Sequence, residues 1–471
     1  MRSVKIVATI GPRTNNIAAL EDLLEAGMDV ARLNGSHSDL TWHAEAIALI
    51  RSVAPLMPIL LDIPGRKIRT TRLAHEPSFS VGDTVTLTTS SGYDGREKVP
   101  VNRSDLHEHL RAGDTIYADD GTLRFSVTEV VGRDIVCRAQ IDGTLKSTKG
   151  INVPTAHLPR VSMTERDAEM MEFAREQGVD FVGLSFVDEA QMVEDYRKVL
   201  GTDGPLVLSK VENLGAMNNL DEVINASDAI MIDRGDLSVE TDLESVALSQ
   251  KRILEVARLH GKPVIVATEM LHSMIDNPFP TKAEVSDITN AILDGAAALM
   301  LSGETAVGRF PSETVGLMRR VADAVSESAQ QEGDEGSPFA VPQAIGEAVS
   351  MLCRLLPVTK IVAVTISGYA ARVVANARPR QPILAVSNKA STARSMNLLF
   401  GTKGVHVNTP FSATSTDHIA ACLEELWRRD ELEDDDLVLV TSVGYPRSGN
   451  RMNMIQTHSV ADLRVSLGWH R

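Results

Sequence analysis

The chain has 471 residues, 43% hydrophobic and 23% charged, with Lys+Arg 47 against Asp+Glu 63 and a formal net charge of −16. That length exceeds what one core supports and implies two or three domains, and the ordinary composition excludes a disordered or fibrous chain. The acidity argues against a generic nucleic-acid or anionic-membrane binder, though it leaves room for a local basic pocket. No apolar run approaches the length of a membrane span, and the start, MRSVKIV, enters a strand-like run at once, so neither a spanning segment nor a signal peptide is expected. Cys137, Cys353 and Cys422 are far apart and lack metal-ligand spacing, as in a protein of the reducing cytoplasm.

Short β-branched runs alternate with amphipathic stretches of helical length from the beginning. A strand at Lys5–Ile10 precedes a helix at Ile17–Ala26 stopped by Gly27, then a strand at Val30–Asn34, a helix near Leu40–Val53 and a strand at Ile59–Ile63. The pattern breaks and resumes near Thr164, with strands at Phe181–Phe186, Leu206–Val211, Ala229–Ile232, Val264–Thr268 and Ala298–Leu301 and helices such as Glu189–Leu200, Leu243–His260 and Lys282–Leu293. Three strands before the break and five after it make the eight that close a TIM (β/α)8 barrel, with an open doubly wound sheet as the alternative. The catalytic barrel is accordingly expected over 1–70 and 160–330.

The interruption, 71–159, has short strands at Val85–Thr88, Phe125–Val127 and Ile135–Cys137 with turns at Gly82-Asp83, Gly113-Asp114 and Gly132-Arg133. It reads as a small inserted β domain after the third barrel strand, on the face where barrels hold their chemistry, where it can act as a lid. Polar residues Ser326–Gly336 read as a linker. Beyond them a C-terminal open α/β domain, 337–471, carries strands at Lys360–Thr365, Ile383–Val386, Val405–Asn408 and Leu437–Thr441 and ends in Met454–Val460. The acidic run Glu431–Asp436 reads as a solvated turn before a strand.

Barrel strands point their carboxyl ends at the active site, and those ends are polar here: Arg32 to His37, Asp62, Ser185, Lys210 to Asn213, Asp233 to Asp236, Thr268-Glu269 and Ser302 to Thr305. Taken one at a time, each is also explained as a helix cap or a turn. Together they suit metal-assisted handling of a small polyanion. Glu212 and Asp236 are hard oxygen donors for Mg²⁺, and Lys210 shares the face of Glu212 through the two-residue strand period. Arg32 adds a fixed cation, and the turn Arg234-Gly235-Asp236 is placed to aim backbone N–H groups at a carboxylate.

These residues carry a resemblance to the pyruvate kinase family over essentially the full length, through VKIVATIGP (Val4–Pro12), ARLNGSHS (from Ala31), KGINVP (Lys149–Pro154), SKVEN (Ser209–Asn213), RGDL (Arg234–Leu237), ATEMLHSM (Ala267–Met274), NPFPTKAE (Asn277–Glu284) and LSGETA (Leu301–Ala306). The resemblance implies transfer of a phosphoryl group from phosphoenolpyruvate to ADP, giving ATP and the enolate of pyruvate, which is then protonated on carbon. By position it implies Lys210 and Arg32 at the phosphoryl group, Glu212 and Asp236 on Mg²⁺ or Mn²⁺, and Gly235 with Asp236 at the substrate carboxylate. Thr268 would lie near the protonated face, with Ser302 and Glu304 in the polar network around it. Asn34, Ser36, Asp62 and Ile63 match the potassium positions of potassium-dependent members, and Lys67 stands where potassium-independent members carry Lys. Pro12, Asn34, His37 and Lys149 would face the nucleotide, and Asp119-Asp120-Gly121 matches the lid motif. A cytoplasmic homotetramer, with no nucleic-acid or membrane partner, follows from the same likeness.

Departures from the family pattern fall at Gly35 (usually Phe), Pro64, Arg66 (usually Pro), Asp188 (usually basic), Asp233 (usually Ala), Ser238 (usually Gly) and Glu269 (usually Gln). An ionised Asp233 about 5 Å from a substrate carboxylate would repel it by roughly 3 kcal/mol at an effective dielectric of about 20. Protonation of Asp233, a cation such as Arg234 or Arg66 beside it, a less anionic substrate, or a side chain turned away to cap a helix would each avoid that cost. Three readings follow: a working pyruvate kinase, a paralogue using the same metal–enolate site on another substrate (a 2-oxo diacid decarboxylase or a kinase for another enol phosphate), and a silent regulatory protein.

Overall fold

A computed structural model describes residues 4–119, 121–154, 163–241, 243–328, 341–412, 415–443 and 452–470. Eight parallel strands close into one barrel in chain order: Lys5–Thr9, Val30–Asn34, Ile59–Ile63, Phe181–Leu184, Leu206–Val211, Ala229–Asp233, Val264–Ala267 and Ala298–Leu301. The barrel, rather than the open sheet, is the outcome. Its strands read as nearly continuous apolar runs because both faces are buried. Alternate residues split between two cores. Val7, Val30, Leu60, Leu208, Met231 and Ile265 fill the interior, while Ile6, Leu33, Leu61, Val207 and Ile232 face the surrounding helices.

This parity aims the functional side chains. Two residues beyond interior Val30, Leu60, Leu208 and Met231 come Arg32, Asp62, Lys210 and Asp233, all buried at the carboxyl end of the barrel. The opposite end is plugged by Leu398 of the C-terminal part, which joins the interior cluster. Lys5 Nζ donates to the Thr402 carbonyl at 2.7 Å and Arg394 pairs with buried Asp180 at 2.7 Å across the same junction.

Between the third and fourth barrel strands lies a seven-stranded sheet whose first strand, Ile68–Arg69, precedes residue 71. Its two edges meet at the bridge between Thr70 and Val101, rolling the sheet into a small barrel around Phe125, Ile116, Ile135 and Leu87. The C-terminal sheet orders Thr402–His406, Ile383–Ser387, Lys360–Val364, Leu437–Ser442 and Met454–Ser459, the last antiparallel.

Two readings of polar segments need correction. Ser326–Ser328 finish the helix Pro311–Ser328, so the expected linker begins later, and its remainder lies outside the described residues. Asp436 is buried rather than solvated, because its carboxylate accepts from Lys360, Thr359 and the Glu433 N–H. All three cysteines are buried, and burial pushes the thiols of Cys137 and Cys422 up to about 12. No described helix is long and apolar enough to cross a membrane.

Candidate active site

The centre of the barrel mouth is an ammonium held by two carboxylates. Lys210 Nζ lies 2.8 Å from Glu212 Oε2 and 2.9 Å from Asp233 Oδ2, with the Ser185 hydroxyl at 3.5 Å. Strand register explains the triangle. Lys210 is aligned with Met231, so Asp233, two residues on, faces inward beside Glu212. Glu212 Oε1 also accepts from the Phe186 N–H at 2.6 Å. On one side Lys67 Nζ contacts both oxygens of Asp236, at 2.6 and 2.7 Å. On the other, Arg32 donates twice to Asp62 Oδ2, at 2.9 and 2.7 Å, and once to Thr9 Oγ1.

Three cations thus serve four buried or nearly buried carboxylates, and the acids cannot all be satisfied equally. Burial pushes Glu212 up to about 8, helped by the charges of Asp233 and Asp236 and opposed by Lys210. Burial and Asp233 also raise Asp236, against Lys67. Asp233 goes the other way: burial favours its neutral form, but Lys210, Lys67 and Arg32 hold the carboxyl below the usual range.

Oxygens of Glu212, Asp233 and Asp236 lie within 4.8 Å of one another. Hard carboxylate donors at that spacing fit a Mg²⁺- or Mn²⁺-sized ion. Thr268, at φ 68°, donates from Oγ1 to the Ala267 carbonyl and accepts from the Gly235 N–H at 2.9 Å, so that N–H is already engaged by a side chain. Glu304 accepts from the Ser302 N–H at 2.7 Å and the Leu271 N–H at 3.3 Å, fixing the turn that carries Ser302. Ser38, Phe186, Thr268 and Glu269, all with left-handed φ, follow barrel strands, a concentration of backbone strain usual at functional sites.

The second group of expected residues sits toward the inserted domain. Asn34 accepts from the Ser36 N–H at 3.1 Å, and Arg69 Nη2 reaches Ser36 Oγ at 3.5 Å. Partial desolvation, then the charges of Arg69, Arg32 and Lys149, lowers the His37 pKa. Lys149 pairs with Asp119 at 2.6 Å within the inserted domain, while Asp120 lies outside the described residues. Ile63 is buried in its strand, and Pro12 is exposed on the turn after the first strand. The inserted domain meets the barrel where Asn152 Nδ2 donates to Glu240 Oε1 at 2.9 Å.

Residues 1–315 match the family model "Pyruvate kinase, barrel domain" and residues 343–458 the model "Pyruvate kinase, alpha/beta domain". The chain belongs to the pyruvate kinase family. It is 38% identical over 453 residues to pyruvate kinase 2 of Synechocystis, covering 94% of this chain and 76% of that protein. It is 36% identical over 470 residues to the pyruvate kinase of Thermotoga maritima, covering 98% and 100%. The crystal structure of a pyruvate kinase from Cryptosporidium parvum superposes with a TM-score of 0.85 at 31% identity, covering 98% and 96%. With such relatives, a paralogue acting on another substrate is not the favoured reading.

Within this pyruvate kinase fold the departures acquire physical reasons. A Cβ on Gly35 would fall 2.2 Å from Met170 Cε and 2.4 Å from the Asp62 carbonyl, so Met170 and a barrel strand already fill the space a Phe side chain would need. Arg66 and Asp188, separate departures in the sequence, form a pair at 2.8 Å. Arg234 is spent on Asp287, at 2.9 and 2.7 Å. Asp233 therefore pairs with neither Arg66 nor Arg234, and its side chain makes no cap hydrogen bond. Its partner is Lys210. Arg69 was not among the expected site residues.

Proposed function

We propose that the chain transfers the phosphoryl group of phosphoenolpyruvate to ADP, giving pyruvate and ATP. The observation that carries this reading is the convergence of Lys210, Arg32 and Lys67 with Glu212 and Asp236 at one barrel mouth. In it Lys210 and Arg32 hold the transferring phosphoryl group, acting as preorganised charges where negative charge develops. The carboxylate end of the substrate lies against Gly235 and Asp236, with Thr268 beside the carbon that gains the proton and Ser302 in the supporting network. Asn34, His37, Lys149 and Pro12 line the nucleotide's approach, and the inserted domain, 71–159, closes over it to exclude water.

Glu212 and Asp236 would hold Mg²⁺ or Mn²⁺, which when bound offsets charge on the phosphoryl oxygens and the enolate. Lys67 replaces the monovalent ion that Asn34, Ser36, Asp62 and Ile63 would otherwise serve, so potassium is not required. The enzyme works in the cytoplasm as a homotetramer acting on small molecules, with 1–70 and 160–330 as the catalytic barrel and 337–471 as the C-terminal domain. Formation of pyruvate from phosphoenolpyruvate, coupled to lactate dehydrogenase and followed at 340 nm, tests it. Pyruvate released at a rate that depends on both ADP and the divalent ion is the expected result; release without ADP would overturn it.

A further inference from the structure

Lys67 is built into the divalent-metal site itself. Its ammonium occupies both oxygens of Asp236 and its side chain is only 12% exposed. The stem passes against Gly150, where a Cβ would come within 2.5 Å of Lys67 Cε, and the ring of Phe186 lies 5.8 Å from the charge. Phe186 in turn donates its N–H to Glu212, the other acid proposed to hold metal. A flexible surface lysine would leave Asp236 available; this one is confined on it.

We propose that Lys67 is an internal competitor of the divalent ion for Asp236, so that the protein without substrate takes up metal weakly. This rests on reading Glu212 and Asp236 as the metal-holding pair. An ion bound by both acids must take at least one Asp236 oxygen from Lys67 and then lies within a few ångströms of a positive charge in a poorly screened pocket. An arriving phosphoryl group offers the displaced ammonium a new anion, so substrate and metal favour each other's binding by linkage. Without metal, Lys67 keeps the crowded carboxylates of Asp236, Asp233 and Glu212 compatible.

The test is titration of Mn²⁺ into the full chain without substrate, following the loss of the free-ion electron paramagnetic resonance signal. Lys67→Met and Lys67→Gln are each expected to tighten Mn²⁺ about tenfold or more, the scale expected for removing a charge at this distance. Lys67→Arg should keep the weak affinity of the wild type. Asp236→Asn separates the two levels of inference: if it leaves Mn²⁺ affinity unchanged, the metal reading fails. If Asp236→Asn weakens binding while neither neutral Lys67 variant tightens it, the competitor proposal is overturned and the metal reading stands.

Discussion

Asp233 sits 2.9 Å from the ammonium of Lys210, which Glu212 also contacts at 2.8 Å, so the central cation of this site is shared between two acids. A substrate phosphoryl group that is to be held by Lys210 must therefore compete with Asp233.

Replacing Asp233 with Ala is expected to raise kcat/KM for phosphoenolpyruvate about tenfold, a modest part of the repulsion a nearby charge exerts at an effective dielectric of about 20. Because Lys210 and its neighbours hold the Asp233 carboxyl below the usual range, it is ionised throughout pH 6 to 8. The gain should accordingly be constant across that window. An unchanged kcat/KM would make Asp233 a bystander.

Lys210→Met is expected to lower kcat about a thousandfold or more, the scale of losing a preorganised charge at a transition state. It also leaves Glu212 and Asp233 buried without their cation, which costs roughly 3–5 kcal/mol when a buried pair is broken. Thermal melts of the variant, run beside the kinetics, separate the two effects. A kcat like that of the wild type would remove Lys210 from the chemistry.

Potassium should not activate the enzyme. Initial rates in Tris or sodium buffers with and without KCl measure this. Strong stimulation by KCl would mean that Lys67 does not replace the monovalent ion.

Any side chain at position 35 must displace Met170 or the Asp62 carbonyl. Gly35→Ala is expected to cost about 1–3 kcal/mol in guanidinium unfolding, the usual range for overpacking. Met170→Ala combined with it should recover only part of that loss, because the carbonyl belongs to a barrel strand and cannot retreat. Full recovery would place the whole conflict at Met170.

His43 is buried and touches the His37 carbonyl through Nε2, at 2.9 Å. Burial lowers its pKa, against the hydrogen bond to His37 and the charge of Asp39. The unfolded chain therefore binds the proton more readily, and the folded state loses stability as pH falls below about 6.5. Stability relative to His43→Gln, which keeps a donor for His37, should fall between pH 7.5 and 5.5. A difference independent of pH would show that His43 does not titrate within that range.

Most barrel strands and several helices were legible because they answer to local chemistry. Runs such as IVA, ILL and VIVA are apolar on both faces, as parallel strands buried on two sides must be, and the helix at Ile17–Ala26 has Asn16 to cap it and Gly27 to end it. Period two likewise placed Lys210 and Glu212 on one face, since Glu212 directly follows the strand that ends at Val211. Fine boundaries moved by a few residues: the fourth strand stops at Leu184 because Phe186 turns into left-handed φ.

Partner choice was not legible in the same way. Lys67 meets Asp236 across 169 residues and Arg66 meets Asp188 across 122, distances along the chain that no local pattern encodes. The choice among Arg66, Arg234 and Lys210 for Asp233 was made by barrel closure. It set the strand ending at Val211 beside the strand ending at Asp233 with Lys210 in register with Met231, while Asp188 and Asp287 drew the two arginines away. The sequence by itself determined which groups face the barrel mouth, because parity along a strand is local. Only the tertiary structure decided how their charges pair, because ion pairs depend on separations of a few ångströms that exist only once the barrel is closed.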